Sequence, residues 1–242
     1  MSVLVFNVVT AALMVLLFKV ATTLVEPGTL RSRRIPWAAI LLTTLVVAGL
    51  VLQASWAGAM DALDSDPSRD GWWRLLTSVF MQNGGFLGDL WNLITLAVVA
   101  ALAEWFWGSW LTLGLFLAGM LLPHGLDLLA GVTDNSTDPR NFAGSSGATY
   151  FLGATLAGAL LLIGPGIRQR LLALAVPAVG IIAFLAQGNG HGLVSAEGCA
   201  LGVITWLLLH RWHTFNRDSP RLAAGSSSDT GPSAVTAQVR RK

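Results

Sequence analysis

Apolar runs approaching twenty residues recur along this chain, and the segments between them hold nearly all of its charge. At 1.5 Å per residue, a helix of about twenty residues matches a hydrocarbon core ~30 Å thick, so each run reads as a membrane-crossing helix. The first extends from about Val3 to Val25, with no charge before Lys19. It lacks the positive leading region of a cleaved signal peptide, so a retained helix is expected. A second span covers roughly Pro36 to Trp56, and five more lie near Asp89–Ala103, Trp110–Leu122, Gly147–Ile163, Leu171–Ala186 and His191–Leu209. Between the second and third comes a stretch rich in turn formers and acids, Asp61 to Asp70, followed by Trp72-Trp73-Arg74. Two aromatics beside a charge suit the bilayer interface.

Composition agrees with this pattern. Of the 242 residues 54% are apolar and 12% charged, against about 25% charged in a soluble domain. The expected fold is an all-α polytopic membrane protein. The 15 Lys and Arg behind the net charge of +2 are scattered through short connections and the C-terminal tail, which argues against nucleic-acid binding. Cys199, the one cysteine, excludes an internal disulfide and a multi-Cys zinc site. No repeat and no inverted-half symmetry of the kind seen in many transporters is present.

Charge alternates between the connections. One side carries Arg31, Arg33 and Arg34, then Arg168 and Arg170, then Arg211, Arg217 and Arg221. The other carries Asp61, Asp64, Asp66, Asp70, Asp127, Asp134 and Asp138 against Arg69, Arg74 and Arg140. By the positive-inside rule the first side is cytoplasmic. The chain's N-terminus, the 57–88 segment, the 123–143 loop and the Gln187–Gly190 turn then lie outside. The predicted organisation is an N-terminal helix with a basic linker over 1–35, a membrane core over 36–212, and a cytoplasmic tail over 213–242 too poor in apolar residues to fold.

Candidate chemistry gathers on the external side. Asn141-Phe142-Ala143-Gly144-Ser145-Ser146-Gly147-Ala148 leads into a span of only about 17 residues, 147–163. Such a helix is ~25 Å long, so its N-terminus starts below the external surface. Free N–H groups and the positive dipole end there offer donors to an oxyanion beside a serine. The same pattern also serves as a helix cap and packing surface. Of the four histidines, His210 and His213 flank Arg211 at the cytoplasmic end, and His124 follows Pro123 just past a span. His191 opens the last span on the side of Ser146. On a helix it shares a stripe about 40° wide with Ser195, Gly198 and Gly202. Gly147, Ala154 and Gly158 form a matching row of small residues, which lets two membrane helices approach closely. Asn92, near the external end of the third span, offers an amide either to an oxyanion or to an interhelical hydrogen bond.

Taken together, these residues resemble the rhomboid family of intramembrane serine proteases. Gly144-Ser145-Ser146-Gly147 matches the family's G-x-S-G, and Trp73-Arg74 with Thr77 resembles its W-R-x-x-T. Asn92 matches the asparagine ending H-x4-H-x3-N, Glu104-x-x-x-Gly108 resembles the acid and glycine that follow that helix, and His191 stands where the last core helix carries its histidine. The likeness covers about residues 36 to 210. The chain departs from it where Gln82 or Asn83, and Gly88, stand in place of the two histidines, and where Val194 replaces the first glycine of H-x-x-G-x-x-x-G. Glu197 is not required by the pattern.

The resemblance implies a rhomboid-like six-helix core preceded by one extra N-terminal transmembrane helix. It implies Ser146 as nucleophile, His191 as general base and acid, and Asn92 with the Ser146 N–H as oxyanion donors. The activity implied is a serine endopeptidase with no cofactor or metal, cutting membrane proteins within or beside a transmembrane helix that arrives laterally from the lipid. The cell (plasma) membrane is the expected location, with the C-terminus cytoplasmic. The competing reading, from Gln82, Gly88 and Val194, is a catalytically inactive rhomboid-like protein that binds client membrane helices. A transporter or channel would need several intramembrane ionisable groups, and Glu197 alone stands out.

Overall fold

The computed structural model describes residues 3–26, 28, 33–129 and 142–218, the side chains of 212–218 excepted. Among these, the elements are α1 (Val3–Leu24), α2 (Trp37–Ser55), α3 (Ala59–Leu63), α4 (Arg74–Thr77), a 3-10 turn (Ser78–Phe80), α5 (Gly85–Trp107), α6 (Ser109–Leu129), α7 (Ser146–Ile163), α8 (Ile167–Gln187) and α9 (Gly190–Asp218). Seven of them are long and apolar enough to cross a membrane. The protein is an all-α polytopic membrane protein, with no strand among the described residues.

α1 and α2 lie within the apolar runs that predicted them, and the other five long helices outrun theirs; for α5 the reason is polar satisfaction at its end. α5 continues through Glu104 because that carboxylate, buried at 7% exposure, accepts from the Ala39 N–H at 3.0 Å and from the Ser109 hydroxyl at 2.5 Å. Ala39 lies in the first turn of α2, where N–H groups have no partner within the helix. One acid thus joins the ends of α5 and α2 to the start of α6. Gly108, at φ +83°, makes the turn between α5 and α6 in a single residue. In α6, Pro123 was expected to lie at the span's end, but the helix runs on to Leu129. Proline removes one backbone bond and bends a helix, a loss that membrane helices tolerate when their surroundings compensate. His124 and Asp127, expected in the external loop, therefore belong to α6, and the loop's remainder, 130–141, lies outside the described residues.

α7 is the centre of the membrane core. It is 72% buried, against 22–33% for the other six long helices. α1, α5, α6 and α8 all pack on it, so its neighbours turn their outer faces to lipid. On α8, for example, Leu171, Ile182 and Leu185 are exposed, as a lipid-facing surface allows. α1 inserts its stripe of Leu13, Met14, Leu17, Val20 and Ala21, each at most 1% exposed, against α7 and α8 and also touches α5.

Met1–Trp206 forms one compact unit and Leu207–Lys242 a second. In the second, the structure describes the helical backbone of α9 as far as Asp218, so regular structure continues past the predicted start of the tail at 213. Residues 219–242 lie outside the described residues.

Candidate active site

The segment between α2 and α5 is held from inside by one arginine. Arg74 donates to the carbonyls of Asp61, Asp64 and Asp70 and to the Asp64 carboxylate at 3.1–3.3 Å. Arg69 pairs with Asp61 at 2.9 Å, and the Ser68 hydroxyl and N–H hold the Asp66 carboxyl below its ordinary range. The Thr77 hydroxyl donates to the Leu63 carbonyl at 2.7 Å. Trp73-Arg74 and Thr77, singled out as one motif, thus stitch a polar loop into a fixed shape.

That loop in turn fixes the approach to α7. Ser65 donates through its N–H and its hydroxyl to the Phe142 carbonyl at 2.8 and 2.9 Å, and the Gly144 N–H donates to the Ser78 carbonyl at 3.0 Å. Gly144 has φ +138°, a conformation that side-chain-bearing residues avoid. A Cβ there would lie 3.7 Å from Ser146 Oγ and 3.9 Å from Asn92 Nδ2. The missing side chain leaves a space bordered by both groups.

Ser145 and Ser146 part company at this point. Ser145 is fully buried, and its hydroxyl receives a hydrogen bond from Gln82 Nε2 at 3.4 Å. Ser146 is half-buried and opens α7, so its own N–H has no partner within that helix. Its Oγ is 3.0 Å from Nε2 of His191. Neutral imidazole can accept at Nε2 when Nδ1 carries the proton, so the pair is set for proton transfer from hydroxyl to ring.

The meeting of α7 and α9 depends on missing side chains deeper in the membrane. A Cβ at Gly198 would lie 2.3 Å from the Phe151 carbonyl oxygen, one at Gly202 2.1 Å from that of Thr155, and one at Gly158 2.2 Å from that of Cys199. The backbones therefore touch. Of the anticipated row Gly147, Ala154 and Gly158, Gly158 takes part, whereas a Cβ at Gly147 meets nothing within 4 Å. The contact line on α7 runs instead through Phe151, Thr155 and Gly158, spaced by four and three residues as one face of a helix requires.

No family model, no curated protein and no solved structure matches the chain.

Asn92 is close to the serine, but its environment includes a residue that sequence reasoning noted only as a replacement. Gln82, 3% exposed, accepts from Asn92 Nδ2 at 2.9 Å through its side-chain oxygen. Its backbone exchanges two hydrogen bonds with the Gln53 amide, at 2.9 and 2.7 Å. An amide nitrogen has two hydrogens, so the bond to Gln82 orients Asn92 and leaves it a second donor. Two more neighbours of His191 went unrecognised. Tyr150 meets the imidazole edge-on, with centroids 4.8 Å apart, and Asn189 Oδ1 accepts from the His191 N–H at 3.1 Å. Both left a signal. Tyr150 is the only tyrosine of the chain and lies one turn after Ser146 on the same helix face, and asparagine just before a helix is a preferred N-cap.

Ser195 belongs to the same helix as His191, yet its hydroxyl bonds back to the His191 carbonyl at 2.7 Å. Glu197 Oε2 is buried without a hydrogen-bond partner. Among the described residues no group of three or more His, Cys, Asp or Glu is arranged to hold a metal ion.

Proposed function

We propose that this chain is a rhomboid-type intramembrane serine endopeptidase, and the observation that carries the reading is the 3.0 Å approach of Ser146 Oγ to His191 Nε2 at one end of two helices whose backbones touch. The His191 ring takes the Ser146 proton as Oγ bonds to the scissile carbonyl carbon. Negative charge then develops on the former carbonyl oxygen. Ser146 Oγ and Asn92 Nδ2 border the space that Gly144 leaves open, and in this reading the second hydrogen on Asn92 Nδ2 and the Ser146 N–H, unpaired within its helix, stabilise that charge. Imidazolium returns the proton to the leaving amine as the C–N bond breaks. Water, giving a proton to His191, then hydrolyses the acyl-serine and restores both groups.

The substrate class follows from the surroundings. A site at the end of a helix enclosed by apolar helices accepts a peptide segment delivered from the bilayer, within or beside a transmembrane helix locally unwound to expose its carbonyl. The basic connections Arg31–Arg34 and Arg168–Arg170 support a cytoplasmic C-terminus and an external mouth, with the cell membrane as the location.

The test is cleavage of a reporter membrane helix by purified protein. Ser146→Ala should abolish it by orders of magnitude, because a general base cannot replace a lost nucleophile. Ser145→Ala should largely preserve it. Wild-type cleavage by both variants would favour a protein that binds client helices without cutting them.

A further inference from the structure

The helix that lies outside the resemblance makes two separate connections to His191, and both begin at one residue. Thr10, half-buried on α1 one turn before Leu13 and Met14, accepts from the Tyr150 hydroxyl through its carbonyl at 2.8 Å. Its side-chain oxygen accepts from Asn189 Nδ2 at 2.8 Å. The Tyr150 ring abuts the imidazole, and the Asn189 side chain caps the His191 N–H. These bonds span 140 and 179 residues of sequence.

The direction of the bonds matters. A threonine hydroxyl has one proton, and that of Thr10 goes to the Phe6 carbonyl at 2.9 Å. Toward Asn189 the oxygen can then only accept, which forces the amide nitrogen of Asn189 to face Thr10 and its Oδ1 to face α9. Only in that orientation does Asn189, fully buried, cap the first turn of α9 at the residue that bears the imidazole. With the amide reversed, two N–H groups would confront one another and the helix would lose its cap.

We propose that Thr10 is a positioning residue for His191, so that the N-terminal helix is part of the device that holds the imidazole against Ser146. This inference rests on the protease reading above. Apolar packing of Leu13, Met14 and Leu17 places α1, and Thr10 converts that placement into a fixed orientation of the ring. A displacement of about 1 Å at a reacting group can lower turnover by up to ~100-fold. Loss of one hydrogen bond two links away from the ring should have a smaller effect.

The experiment measures the rate at which a fluorophosphonate labels Ser146, together with kcat and KM on a reporter helix. The proteins are full-length wild type, Thr10→Val, Thr10→Ser and Asn189→Ala, each compared below its own unfolding temperature. Thr10→Val keeps shape but removes the acceptor, and should slow labelling and kcat by about tenfold with KM within about twofold. Thr10→Ser restores the hydroxyl and should label like wild type. Asn189→Ala breaks the same link from the other side without altering α1, so it decides the matter if Thr10→Val does not fold. The Thr10→Val/Asn189→Ala double variant should be no slower than the worse single one, as members of one chain of bonds are not additive. Wild-type labelling by Thr10→Val or by Asn189→Ala, or a loss shared by Thr10→Ser, would overturn the assignment while leaving the protease reading intact. A wild type that neither labels nor cleaves would remove both.

Discussion

The two ends of the α7–α9 contact are built on different physics. Deep in the membrane, Gly158, Gly198 and Gly202 bring backbone against backbone among apolar neighbours such as Phe151 and Leu152 at 0% exposure. At the mouth, Ser146, His191, Tyr150, Asn189 and Thr10 are joined by directed polar contacts. Packing of small residues fixes how far apart two membrane helices lie, because van der Waals contact and lipid entropy drive their association. It does not fix which way an imidazole or an amide faces. Directed hydrogen bonds do that, and they matter more where little water competes. The deep half sets the distance at the mouth, and the mouth sets how its polar groups face one another.

Disrupting the deep half should have the largest effect. Gly202→Ala places a Cβ where the Thr155 carbonyl oxygen stands 2.1 Å away, so the helices must separate. Overpacking of this kind destabilises by about 1–3 kcal/mol and carries His191 away from Ser146. Thermal unfolding in detergent should show the lower stability and reporter cleavage a loss of tenfold or more, roughly the cost of a misplaced reacting group. Equal stability and equal cleavage would mean that the glycine contact does not set the distance.

Next comes the amide that orients Asn92. Gln82→Leu keeps a buried side chain and leaves the backbone bonds to Gln53 possible, but removes the acceptor for Asn92. The expected result is a fall in kcat of about tenfold, less than the 100- to 1,000-fold typical of deleting an oxyanion donor outright, with unfolding temperature little changed. A fall no smaller than that of Asn92→Ala would place Gln82 itself among the donors.

Ser195→Ala sharpens the comparison from within α9. Its hydroxyl bonds to the carbonyl one turn back, a contact that contributes little to helix stability, so cleavage should stay within about twofold and stability within about 1 kcal/mol. Glu197→Gln should have the smallest effect. Glu197 lies about 240° around α9 from His191 at 100° per residue, off the contact face, and its activity should match wild type. A loss as large as that of Ser146→Ala would put this carboxyl into the chemistry.

How much of this was legible in the sequence follows the same division. Apolar run length gave all seven long helices, because the bilayer demands it, and the small residues at 198 and 202 on the stripe of His191 gave the face that α9 turns to α7. The ends were not legible. Nothing in the local pattern says that the Glu104 carboxylate accepts hydrogen bonds from Ala39 and Ser109, which lie 65 and 5 residues away, or that α6 continues through Pro123 rather than ending there. At the site, Ser146, His191 and Asn92 could be named from their residue types and their position at one end of the membrane. Gln82 stood out only as a departure, Asn189 only as part of a turn. Thr10 left no signal, since a single threonine in an apolar helix commonly bonds its own backbone, as Thr10 also does with Phe6.

The central claim is that Ser146 and His191 act together, and one measurement addresses it directly. Purified wild-type protein, Ser146→Ala and His191→Ala are treated with a serine-reactive fluorophosphonate, and the modified residue is mapped by mass spectrometry. The account predicts a single adduct on Ser146 in the wild type, none in Ser146→Ala, and labelling of His191→Ala slowed by at least about 100-fold, within the range set by general-base removal. An adduct on Ser146 that forms equally fast without the imidazole, or no adduct at all in the wild type, would contradict it.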